Sequence, residues 1–190
     1  MPPKQKVTRD GIIEAAFRIA RTQGVERISA RSVAEELGCS TQPVLYHFST
    51  VEEVRRAAYC RADQFHSAYL MTIPEDAADP LLELGLNYIR FSIQEPHLFR
   101  LLFQSGLAEE NTLLDMVDSD ELKPVLAFMG AAMGLPPERT REVFLTLALF
   151  VHGYASIIAN NGLEFDEKVI AEHLERAYRG AVLAAEEETQ

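Results

Sequence analysis

Residues 29–48, SARSVAEELGCSTQPVLYHF, hold two short helix signals with a single glycine between them. Ser29 stands where an N-cap belongs, and Val33, Ala34 and Leu37 recur at the spacing that gathers side chains on one helical face. Gly38 can end that helix in the left-handed conformation, because a residue without Cβ meets no steric penalty there. Ser40 can cap a second helix running through Phe48. Pro43 then falls in its first turn, where a missing N–H breaks no helical bond. Two short helices joined by a tight glycine turn form a helix-turn-helix, the unit whose second helix enters the major groove of double-stranded DNA.

The rest of the chain repeats helical spacing and never the two-residue alternation of a strand, so the expected fold class is all-α. A first helix is expected from about Thr8 to Gln23, striped by Ile13, Ala16, Phe17 and Ala20 and stopped by Gly24. A fourth should open on the capping box Thr50–Glu53 and reach about Met71. The breaker-rich stretch TIPEDAADP divides an N-terminal domain, 6–66 with its helix-turn-helix at about 29–48, from a larger helical domain, 72–190. In the second domain helices should follow Asp79-Pro80 and Pro96, a short piece should span about Asn111 to Asp118, and another should end at Gly134. A long apolar helix through Val143–Ala159 comes next. The last helix, from near Asp166, carries a 4-3-4-3 stripe of Ile170, Leu174, Ala177, Ala181 and Ala184. Two apolar helices of this kind from each of two subunits predict a homodimer.

Charge narrows the function. The net charge of −11 argues against indiscriminate nucleic-acid binding by the whole chain. The first fifty residues nevertheless hold seven Lys/Arg against five Asp/Glu, and the remainder eleven against twenty-four, so the head alone suits a polyanion. Two cysteines make no disulfide scaffold, and Cys39 reads as filling within the turn. MPPKQKVTRD is no secretory signal, and Val143–Ala159 is shorter than a membrane span, so the expected setting is cytoplasmic and off the membrane. No Glu-x-x-His pair accompanies the five histidines and no nucleophile elbow is present, so neither metal, cofactor nor catalysis is expected.

On the second helix of the helix-turn-helix, Ser40 and Thr41 can bond phosphates or bases, Gln42 can pair an adenine edge, and Val44 can touch a thymine methyl. Tyr46 and His47 stand where backbone contacts fall, and Arg31 and Ser32 in the preceding helix can add more. In the second domain an apolar set of Tyr88, Phe91, Phe99, Phe103, Phe128, Met129, Phe144 and Phe150 suggests a core with an apolar ligand pocket, and Asn87, His97 and His152 are its polar candidates.

Residues 8–54 resemble the DNA-binding domain of TetR-type transcriptional regulators: IIEAAFRIARTQG, SARSVAEELGCS and YHF fall in that family's order and spacing. The downstream FVHGYASIIANNG resembles the ligand-binding half of a subgroup marked by Trp-His-Gly, matching at His152 and Gly153 in a chain without tryptophan. The resemblance implies a regulator bound to operator DNA, with His47 at a phosphate-contacting position and a small-molecule effector received by the rear domain. Two positions depart from the family: Leu45 stands where tyrosine is usual, and Val51 where lysine often grips phosphate. They keep open a helical ligand-binding or scaffold protein without an operator. The fold alone does not distinguish a repressor from an activator.

Overall fold

The structure, a computed structural model, describes residues 7–108, 117–120 and 122–187. Among these the chain is helical and holds no strand: α1 (Arg9–Gln23), a 3₁₀ turn (Val25–Arg27), α2 (Ala30–Glu36), α3 (Gln42–His47), α4 (Val51–Leu70), α5 (Pro80–Gln94), α6 (Pro96–Gln104), α7 (Lys123–Met133), α8 (Pro137–Asn161) and α9 (Glu167–Glu187). The expected piece from Asn111 to Asp118 falls almost wholly outside the described residues.

The helix ends follow from local chemistry. Thr8 caps α1, its hydroxyl accepting from the Gly11 N–H at 3.1 Å. Thr50 Oγ1 accepts from Glu53 N at 3.2 Å, and the Glu53 carboxylate reaches back to Ser49 N at 2.8 Å rather than to Thr50 itself. Asp79 accepts from the N–H groups of both Leu81 and Leu82 at 3.0 Å, with Pro80 opening α5. These side chains satisfy N-terminal amides that have no partner inside their helices.

Two compact units emerge, Met1–Phe65 with Glu95–Glu109, and His66–Gln94 with Glu110–Gln190. The expected rear domain, 72–190, includes the segment carrying α6, whereas these units group that segment with the N-terminal residues. The cause is direct packing. α6 lies against α1, and the Arg21 guanidinium clasps the Glu95 carboxylate just before α6, with Nε donating to Oε2 at 2.8 Å. Within this unit Phe17 stacks tilted on Phe65 at 5.6 Å, and Arg61 covers the Phe17 ring at 4.7 Å while pairing with Glu14.

In the second unit α8 packs against α5, α7 and α9, and α5 against α9. Gly85 permits the last contact, since a Cβ there would meet Leu174 Cδ2 at 2.5 Å. The expected α9 stripe drifts. Ile170 and Leu174 are buried and Ala177 and Ala181 half-buried, but Ala184 is exposed and Ala185 takes the buried place. A 4-3-4-3 repeat averages 3.5 residues, and a straight helix slips about 20° per heptad against it. α8 is the one described helix long and apolar enough to cross a membrane.

Candidate functional site

The α2–α3 corner is built by reciprocal caps and one left-handed residue. Ser29 Oγ accepts from Ser32 N at 3.0 Å, and Ser32 Oγ accepts from Ser29 N at 2.9 Å while lying 2.7 Å from Arg27 O. Gly38 sits at φ +63°, and the chain closes with Gly38 N donating to Glu35 O at 3.1 Å and Cys39 N to Ala34 O at 2.9 Å. The cap of α3 differs from expectation. Thr41, not Ser40, is the N-cap, and it occupies that place without a side-chain cap bond.

Successive residues of a helix turn by about 100°, so each side chain of α3 has a fixed azimuth. Val44 is 1 % exposed and faces the core, as does the C-cap Phe48 one turn later. Val44, the residue expected at a thymine methyl, thus has its methyl groups packed against the core. Gln42 and Tyr46 lie opposite and are exposed, with Thr41 and Leu45 exposed on one flank and Ser40 exposed in the turn. His47 is half-buried. Its Nε2 lies 3.3 Å from Val7 O, and its ring meets Tyr46 edge-on at 5.1 Å. Arg31 is exposed, and Glu35 accepts from its Nε at 2.8 Å, which raises its pKa by hydrogen bonding and offsets part of the charge that a phosphate would see. Ser32, expected at the DNA backbone, has its hydroxyl engaged in the cap, with Ser29 N, Ser29 Oγ, Ser29 O and Arg27 O all within hydrogen-bonding distance.

The eleven candidate ligand residues are divided between the two units. His97, Phe99 and Phe103 lie on α6 and so in the first unit. There Phe99 is fully buried with its ring 5.1 Å from Phe103, and His97 lines a separate cavity of about 260 Å³ beside Gly24, Glu26 and Arg100. Asn87, a candidate ligand group, has its amide engaged within the unit. Its Nδ2 donates to Leu70 O and Thr72 O, both at 3.2 Å, and its Oδ1 accepts from Arg90 at 3.0 Å. Leu70 O closes α4 and Thr72 O lies two residues past it, where helical partners run out.

What remains in the second unit is aromatic and apolar. Leu70, Leu84, Val125 and Met129 are buried together, with Tyr88, Phe128 and Phe144 packed against them. Phe91 is fully buried beneath the rings of His66 and Tyr69, at 4.7 and 5.3 Å. Phe150 stands apart, stacked on Tyr154 at 5.3 Å. One polar chain crosses this region. Tyr88 Oη lies 2.9 Å from His152 Nδ1, and His152 Nε2 lies 3.1 Å from Ser156 Oγ. Burial raises the Tyr88 pKa and lowers that of His152, so both groups are held neutral. His66, edge-on to Tyr88 at 5.4 Å, is pushed down to about 4 by the same cause. Sequence reasoning missed Ser156 and His66. Ser156 had a legible signal, four residues after His152 on the same helical face; the burial of His66 had none.

A helix-turn-helix whose second helix turns polar and aromatic side chains outward, joined in one chain to a helical unit with an aromatic core, defines a DNA-binding transcriptional regulator. Residues 81–180 match the family model described as tetracyclin repressor-like, C-terminal domain. The chain belongs to the TetR family of regulators. It is similar to the uncharacterised HTH-type transcriptional regulator YobS of Bacillus subtilis (strain 168), 21 % identical over 174 residues that span 90 % of this chain and 88 % of YobS. Among solved structures, a TetR-family regulator from Streptomyces coelicolor superposes with a TM-score of 0.69 at 16 % identity, covering 93 % of this chain and 81 % of that one. The multidrug binding protein EbrR complexed with ethidium gives 0.62 at 22 % identity, covering 89 % and 97 %. These likenesses show a shared fold.

Proposed function

We propose that this regulator is a homodimeric, cytoplasmic repressor that leaves its operator when a small, largely apolar ligand enters the second unit. The observation that carries the operator reading is the outward face of α3, where Thr41, Gln42 and Tyr46 are exposed together while Val44 and Phe48 hold the helix to its own core. Thr41 and Gln42 supply base contacts; Ser40, Tyr46, His47 and Arg31 position the phosphate backbone. The effector reading is supported by the Tyr88–His152–Ser156 chain within an aromatic shell, a polar anchor for one end of an otherwise apolar ligand. It is further supported by the similar EbrR, a multidrug binding protein seen in complexes with ethidium and proflavin. A ligand acts here only through its different affinity for the DNA-bound and free shapes, a coupling of about 1–3 kcal/mol.

The test has two stages. Ethidium, proflavin and a metabolite library are screened by thermal shift without DNA, because a ligand of the folded state raises its melting temperature. Non-intercalating hits are then added to a gel shift on the DNA flanking the gene, with Tyr88→Phe and His152→Ala alongside. Hits should release the wild-type protein and fail on the variants. Hits that stabilise the protein yet leave operator affinity unchanged remove the sensor reading, and a shift toward tighter binding reverses the sign of regulation.

A further inference from the structure

Among the described residues of the first unit, large hydrophobic side chains are exposed at two positions, Leu45 at 57 % and Tyr46 at 83 %, and both lie on α3. A lone exposed leucine on a surface needs no explanation. Here the exposure is confined to the six-residue helix that the operator reading turns toward DNA. Tyr46 carries a phenol that can reach a phosphate or a base edge. Leu45 carries no donor or acceptor, so it offers a phosphate nothing beyond its bulk. Its azimuth is about 100° from the buried Val44, on the flank it shares with Thr41 one turn earlier and next to the face of Gln42. A side chain so placed enters the groove with the base-contacting residues. The major groove displays one apolar group, the C5-methyl of thymine.

We infer that Leu45 reads a thymine methyl in each operator half-site, the contact that sequence spacing had suggested for Val44. The inference rests on the operator-binding proposal and adds a base to it. Thr41 and Gln42 bond polar edges, and Leu45 removes one methyl group from water beside them.

The full-length protein is used to enrich duplexes from a random-sequence library, and the tightest duplex is resynthesised with deoxyuridine replacing thymidine one position at a time. That exchange deletes the methyl and keeps every hydrogen-bonding group. At one thymine of each half-site the wild-type protein should lose about three- to fivefold in affinity, the value of one buried methyl. Leu45→Ala should bind the thymine and uracil duplexes equally and melt at the wild-type temperature, since the side chain is exposed. The inference is overturned if no uracil exchange weakens the wild type, or if Leu45→Ala shows the same loss at the same position. Failure to enrich any duplex overturns the operator-binding proposal, and this inference with it.

Discussion

Arg21 and Glu95 form a two-pronged ion pair of unequal burial: the side chain of Arg21 is 43 % exposed, that of Glu95 only 11 %. The guanidinium also lies over the Phe65 ring, 4.8 Å from its centroid. The two ends should therefore respond differently to truncation. Glu95→Gln leaves a cation that water and Phe65 can still satisfy, and should cost about 1 kcal/mol. Arg21→Met strands a buried carboxylate, and should cost about 2–3 kcal/mol. Urea unfolding at pH 7 measures both, and equal losses would show that burial of Glu95 does not set the cost.

Val44 is buried and Tyr46 exposed on the same helix α3, so truncating them should affect different properties. Val44→Ala removes packed methyls from the core, so a loss of about 2 kcal/mol is expected. Its preference among operator bases should stay as in the wild type. Tyr46→Ala should leave stability within about 0.5 kcal/mol, as exposed substitutions do. Its operator affinity should drop. A Val44→Ala protein of normal stability and altered base preference would restore the role that its burial denies it.

These two residues also show what the sequence could and could not disclose. Helix existence was legible because caps and breakers act within four residues: Thr8, Ser29, Asp79, Gly38 and Gly134 each did what their chemistry requires. The inward side of α3 was legible as well, since Val44 and Phe48 are one turn apart. The grouping of α6 with α1 had no local signal. It depends on Arg21 and Glu95, 74 positions apart. The role of Asn87 was hidden for the same reason, because its partners Leu70 and Thr72 lie across a turn from another helix.

Burial of His66 sets a pH dependence whose sign can be worked out. In the folded chain its pKa is lowered from 6.5 to about 4 by desolvation, with the rings of Tyr88 and Phe91 against it. Below about pH 6.5 the unfolded chain binds a proton that the folded one excludes, so stability is complete above that pH and declines toward pH 4. His152 is lowered by burial too and acts in the same direction. Between pH 7 and pH 4.5 the His66 contribution to the loss is about 2–3 kcal/mol. His66→Phe should flatten the stability profile by that amount across the window, whatever it does to stability at pH 7. Parallel profiles for the two proteins would mean that His66 is not held neutral.

The apolar surface of the second unit bears on assembly. Leu149 and Ile157 on α8 are each 55 % exposed and Leu183 on α9 is 58 % exposed. Only 22 % of the most apolar window of α8 is buried within the chain. A second copy applying the same two helices would cover these side chains, and a stable dimer needs about 1,200–2,000 Å² of such surface in all. Ile157→Glu or Leu183→Glu would place a carboxylate in that interface without partners, yet leave it in water in the monomer. Light scattering should therefore show a dimer for the wild type and a folded monomer for either variant. A two-fold dimer would set the half-sites of an operator about 34–36 Å apart, or a multiple of it. The monomeric variants should accordingly bind one half-site and lose the advantage of the second. A wild-type protein that scatters as a monomer at micromolar concentration would remove the dimer, and with it the paired half-sites.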